Sequence, residues 1–198
     1  MNRGVYLFDF RPTKQKNNFI EEWQQTFPEN KLFLIYTPSP TAAKKVYRCY
    51  VRLFAKNHLL KRIGLITQEK NSILPYLSAK ENILISFDNA QVKHTKLWER
   101  FETNLISNRD FFETLGKDLT PLQHFYVQFY RQLLAGKKVI IIDTLLDQLP
   151  VTVVRQIMTE FDSIIHDIDT SIIILTANQE LIQANPQASL DTPPFVQK

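Results

Sequence analysis

Glycine is scarce in this chain: Gly4, Gly64, Gly116 and Gly136 are the only four among 198 residues. A loop that wraps backbone N–H groups around a phosphate turns through positive φ and approaches the anion closely, and both need glycine. Neither GxGxxG nor GxxxxGK[ST] is present, which excludes the ordinary phosphate-cradling loops. The single cysteine, Cys49, excludes an intramolecular disulfide and reads as a buried or half-buried thiol in a reducing compartment. His58, His94, His124 and His166 are far apart and form no metal-ligand spacing, so no metal site is expected. No apolar run approaches the roughly 20 residues that span a bilayer, and the N-terminal MNRGVYLFDFRP lacks the apolar stretch of a signal peptide. Charge of one sign is not in large excess: the net charge is +4 and the pI ≈ 9.1. The basic residues are scattered, with pairs at Lys44 and Lys45, Lys61 and Arg62, and Lys137 and Lys138. That is the pattern of a solvated surface rather than a nucleic-acid stripe, so no specific nucleic-acid partner is expected. There is no G-x-S-x-G and no Ser-His-Asp order, and no catalytic residue is assigned.

What is present is an alternation of short apolar runs and amphipathic stretches. Residues 4–10, 31–36 (KLFLIY), 62–67, 138–143 and 171–176 read as strands. Residues 14–26, 41–54, 120–134, 151–166 and 179–184 read as helices. In the second of these, Val46, Tyr50, Leu53 and Phe54 fall on one face, and Thr41 is positioned to cap it. Residues 78–115 read as several helices rich in aromatic residues, and the tail NPQASLDTPPFVQK as loose or pinned only by Phe195. This alternation implies an α/β fold whose mostly parallel sheet is covered on both faces. We expect one domain over 1–198, with a helical subdomain inserted at about 70–135.

Four stretches occur in a telling order. RIGLITQEKNSILPYLSAKENILIS runs a strand into Gln68 and then through LPYLSAKENI; LTPLQ follows at 119–123, VIIIDT at 139–144 and TSIIILTAN at 170–178. Together they resemble the Q-loop, signature, Walker B and switch segments of the ATP-binding subunit of an ABC transporter, over roughly residues 31–182. The resemblance implies a P-loop NTPase-like, ABC-type core. It places PSPTAAKK, 38–45, at the phosphate-binding loop, with Lys44 at the lysine position. Pro38 and Ala43 stand at the glycine positions, and Lys45 at the magnesium-binding hydroxyl. Asp143 matches the magnesium-facing acid and Gln68 the Q-loop glutamine. Thr144 stands at the general base, Pro150 at the D-loop acid and Ala177 at the switch histidine.

The nucleotide-binding set is therefore reduced to Lys44, Gln68 and Asp143, and the signature to Thr120 and Gln123. Each keeps a plainer account beside it. Lys44 and Lys45 also read as a solvated pair. Thr-Pro-Leu-Gln also reads as a capping box with proline at the first helical position. Phe111, Phe112, Phe125, Tyr126, Phe129 and Tyr130 read as core, with a partner-binding patch as the alternative. The expectation for function is a degenerate ABC subunit, a pseudoenzyme without MgATP as cofactor. It would be cytoplasmic and peripheral at the inner face of the membrane. There it would dock through Tyr76 and Leu77 on a permease or pair with an intact ATPase subunit, with a homodimer as a further arrangement. An atypical ATPase with partner-supplied catalytic groups and an anion- or nucleic-acid-binding module are the alternatives.

Overall fold

A computed structural model of the protein describes residues 11–67, 73–85, 96–165 and 169–196. Among the described residues five parallel strands form one sheet in the order β2-β3-β4-β1-β5. They are β1 Leu32–Tyr36, β2 Ile63–Ile66, β3 Val139–Ile142, β4 Ser171–Thr176 and β5 Ser189–Leu190. The register sets Ile63 opposite Val139, Val139 opposite Ser171, Ile172 opposite Leu32, and Leu34 opposite Ser189. Every residue of β3 and β4 is buried, as expected of central strands covered on both faces. The strand read at residues 4–10 lies outside the described residues.

Eight α-helices cover the sheet among the described residues: α1 Arg11–Thr26, α2 Pro40–Lys56, α3 Ala79–Leu84, α4 Lys96–Ser107, α5 Arg109–Glu113, α6 Pro121–Leu134, α7 Val151–Ile165 and α8 Gln179–Ala184. Successive strand residues point to opposite faces, and they enter two separate cores. Ile35, Ile141 and Ile173 pack with Phe19 and Trp23 of α1 and with Tyr50 and Phe54 of α2. Leu34, Ile140 and Ile174 pack with Ile83, Phe101, Phe112, Phe125, Phe129 and Phe161 on the other face. The helices between β2 and β3 thus bury their apolar side chains together with α7 against the sheet.

Two expectations change. The cap of α2 is Ser39, whose hydroxyl accepts from the Ala42 N–H, and Thr41 lies inside the helix. Proline is favoured at the first helical position, and Pro40 starts the helix before Thr41 can cap it. The tail is not loose: it supplies β5, and Phe195 stacks on Trp23 with ring centroids 5.3 Å apart. Period-two patterning in a two-residue strand is too short to see in sequence, and the stacking partner is 172 positions away.

Among the described residues β2 lies at one edge of the sheet, and some of the backbone groups along it and just beyond it bond to side chains of α6. Gln128 accepts from the Thr67 N–H at 3.2 Å and donates to the Thr67 carbonyl at 2.9 Å. One turn later Gln132 donates to the Leu65 carbonyl at 3.3 Å. These side-chain amides cover part of the edge that another strand would otherwise extend.

Candidate functional site

In an open parallel sheet the ligand crevice lies beyond the carboxyl ends of the strands. Here those ends are Thr37 after β1, Thr67 after β2, Asp143 after β3 and Ala177 after β4. The segment 38–45 is not the loop its alignment suggests. Pro40 to Lys45 already lie within α2, so 37–39 is all that joins strand to helix. Among the first N–H positions of α2, Pro40 has none, Ala42 donates to the Ser39 hydroxyl at 3.2 Å and Ala43 donates to the Ser39 carbonyl at 3.0 Å. Ala43 is fully buried, while Lys44 and Lys45 are exposed on the helix. With one first-turn amide missing and another taken by the cap, this helix start offers no full ring of donors to an anion.

The start of α6 repeats the device. Thr120 caps it, Pro121 takes the first helical position, and the Thr120 hydroxyl accepts from the Gln123 N–H at 3.3 Å. Gln123 reaches back and accepts from the Thr120 N–H at 2.8 Å. Both signature-like residues are therefore engaged with each other, in the capping box that their spacing allows.

Asp143 ends β3 with its own N–H bonded to the Ile66 carbonyl. Its Oδ1 accepts from the Thr144 N–H at 2.6 Å and from the Thr144 hydroxyl at 3.2 Å. The carboxylate thereby caps the 3-10 turn Thr144–Gln148. Asp147 at the end of that turn is the residue the sequence reading missed. It accepts from the Thr176 hydroxyl and from the Ala177 N–H, the latter at 2.8 Å, and ties the exit of β3 to the exit of β4. Spacing from Asp143 gives no sign of this, because the partners come from another strand. Gln68 lies outside the described residues; its neighbour Thr67 is held by Gln128, as described above.

Tyr76 and Leu77 sit on a turn between β2 and α3. Tyr76 is 71% exposed, and Leu77 is half-buried. Asn82, fully buried on α3, holds that turn. Its Oδ1 accepts from Leu74 N–H at 2.8 Å, and its amide donates to the Leu74, Leu77 and Ser78 carbonyls at 2.9, 3.1 and 3.1 Å. Arg131 of α6 donates to the Asn82 carbonyl at 2.8 Å. On its far side the turn meets Gly116, whose N–H bonds to the Leu77 carbonyl at 2.8 Å and where any Cβ would run into the Leu74 carbonyl oxygen. A cleft of ≈ 760 Å³ opens beside it, between the turn, residues 116–121, α6 and the 3-10 turn after β3.

Among the described residues no three His, Cys, Asp or Glu side chains are grouped to hold a metal ion, and no helix is long and apolar enough to cross a membrane.

No family model matches the chain, and no curated protein matches it. Solved structures do. One is cbiO1 from Clostridium perfringens, part of the ABC transporter complex cbiONQ: TM-score 0.61, 14% identity, over 79% of this chain and 70% of that one. Another is a bacterial Atm1-family ABC exporter with ATP bound: TM-score 0.56, 13% identity, over 79% of this chain and 31% of the exporter chain. At these identities the likeness is one of fold, and the fold of this chain is that of an ABC-type ATP-binding domain with a P-loop NTPase-like core.

Proposed function

We propose that this protein is a non-hydrolysing relative of ABC ATP-binding subunits that acts as a structural or regulatory partner of a membrane permease or of an intact ATPase subunit. The observation that carries the reading is the pair of self-capped helix starts. At Ser39-Pro40 and at Thr120-Pro121 the same arrangement, a hydroxyl cap followed by proline, removes one first-turn amide and engages another, and so thins the set that would otherwise face phosphate oxygens. Phosphoryl transfer depends almost wholly on positioning and charge stabilisation, so a frame short of those donors has little with which to act. Thr144 cannot serve as a base near neutral pH, and the methyl group of Ala177 offers no donor to a phosphate. The residues present do not fit MgATP held in the ABC manner, and no step is routed through it. The two structural relatives are ABC components, which supports a partner that is itself part of such a complex, at the inner face of a membrane.

One observation favours the second reading, an atypical ATPase completed by another chain. Thr37, directly after β1, keeps a buried hydroxyl without a partner among the described residues. One experiment separates the two. The purified protein is assayed for ATP hydrolysis and titrated with MgATP by calorimetry, alone and with candidate subunits. The first reading expects neither turnover nor magnesium-dependent binding. Turnover that disappears in Asp143→Ala, or magnesium-dependent binding in the micromolar range, overturns it.

A further inference from the structure

The aromatic residues 111–130 divide into two groups. Phe112, Phe125, Phe129 and Tyr130 are buried in the core, while Phe111 and Tyr126 are half-buried. Those two line a hollow of ≈ 330 Å³ between α5, α6 and α7. Its floor is aromatic: Phe111 lies against Phe112 with centroids 4.7 Å apart, and Tyr126 stacks on Tyr130 at 6.2 Å. Its rim is uncharged, made by Asn108, Gln123 and Gln156. One wall is the carboxylate of Glu160, which accepts from the Tyr126 hydroxyl at 2.8 Å and from the Tyr130 hydroxyl at 3.5 Å.

Among the described residues Glu160 has no ion-pair partner. Arg100 lines the adjoining hollow with it and donates to the Ser163 hydroxyl at 2.8 Å. Burial, the bond to Glu160 and its negative charge push the Tyr126 hydroxyl well above the ordinary phenol range, so it stays a donor to that oxygen. A carboxylate has about four lone-pair directions, and two tyrosine hydroxyls leave room for more donors. The chain carries a net charge of +4, yet none of that positive charge is bonded to this acid among the described residues.

We propose that this hollow is a binding site for an organic cation, a guanidinium or alkylammonium group, with Glu160 as counter-ion and Phe111 and Tyr126 as aromatic walls. An aromatic face attracts a cation through its quadrupole, and a planar guanidinium can bond a carboxylate while stacking on a ring. The volume accommodates such a group with its alkyl stem. An anionic ligand is disfavoured by Glu160, and a purely apolar one would leave the carboxylate desolvated without compensation. The site lies away from the strand ends described above and does not depend on the proposed function.

The test is a titration followed by aromatic and backbone NMR shifts of the full chain. Three probes are used: agmatine, a capped tripeptide with central arginine, and the same tripeptide with central glutamate. We expect saturable shifts at Phe111, Tyr126 and Glu160 with the arginine peptide, with agmatine, or with both, and none with the glutamate peptide. Binding of the peptide alone places the cation on a protein partner; binding of agmatine as well admits a free cation. Glu160→Gln is expected to weaken binding about tenfold with the fold retained by circular dichroism. Gln156→Lys, at an exposed rim position, is expected to abolish it by occupying the hollow with a tethered cation. No saturable shift with either cation, equal shifts with the glutamate peptide, or unchanged affinity in both variants overturns the proposal.

Discussion

Asp147 accepts the backbone N–H of Ala177 at 2.8 Å across the ends of two neighbouring strands. The same carboxylate takes the hydroxyl of Thr176. The carboxylate thus holds the segment that leaves β4. Asp147→Ala should lower stability by about 1–3 kcal/mol, since it strands two donors at a partly buried site. Urea denaturation checks this, and unchanged stability would show that the contact contributes nothing.

Asn82 should matter more. It is fully buried and makes four side-chain hydrogen bonds to the turn that presents Tyr76. Asn82→Ala leaves buried carbonyls without donors and should cost roughly 2–4 kcal/mol. Hydrogen exchange should show the loss first at the Leu74 amide, which bonds the Asn82 side chain directly.

The two helix caps give a paired expectation. Ser39→Ala and Thr120→Ala should each cost about 1 kcal/mol, and the double variant should be close to additive, because the caps share no partner. Neither variant should acquire MgATP affinity, since Pro40 and Pro121 still lack N–H groups. Lys45→Ser should likewise fail to confer it. Calorimetric binding in either cap variant would show that the capped amides, rather than the prolines, set the limit, and binding in Lys45→Ser would assign it to the missing hydroxyl.

Glu81 supplies a pH dependence. Hydrogen bonds from the Ser78 backbone and hydroxyl hold its carboxyl below the ordinary glutamate value. A depressed folded pKa contributes stability that is fully present above the unfolded value and lost as pH falls through the folded one. The capping box of α3 should therefore weaken only in the acid range below ordinary glutamate titration. The carboxyl carbon shift of Glu81 should show a midpoint below those of the exposed glutamates; a midpoint at or above them contradicts the capping geometry.

Charge substitutions at Tyr76 and Leu77 address the docking expected of these residues from the sequence. Tyr76 is 71% exposed, so Tyr76→Glu should leave the circular dichroism spectrum unchanged. Combined with Leu77→Asp it should abolish co-purification with a membrane complex from the native cells. Retention of the complex by the double variant would remove this turn from the interface.

Much of the architecture was legible in the chain. Short apolar runs such as VIII at 139–142 and IIIL at 172–175 read as central strands, because a strand covered on both faces is apolar along nearly its whole length. The Thr120–Gln123 box and Pro121 announce a helix start through chemistry confined to four residues. Glycine scarcity already argued against a phosphate loop. Other features were settled only by tertiary contacts. Proline at 40 permits a turn or a helix start, and the helix won because Ala43, Val46, Tyr50 and Phe54 bury against Trp23 and the sheet. Asp147, Gln128 and Asn82 are ordinary polar residues in sequence. Each acquires its role from a backbone group 30, 61 or 8 positions away. Glu160 joins an aromatic hollow because α6 and α7 pack side by side, with Tyr126 lying 34 positions before it. Local hydrogen bonding and burial periodicity can be read along the chain, whereas the meeting of distant polar groups depends on how the layers pack.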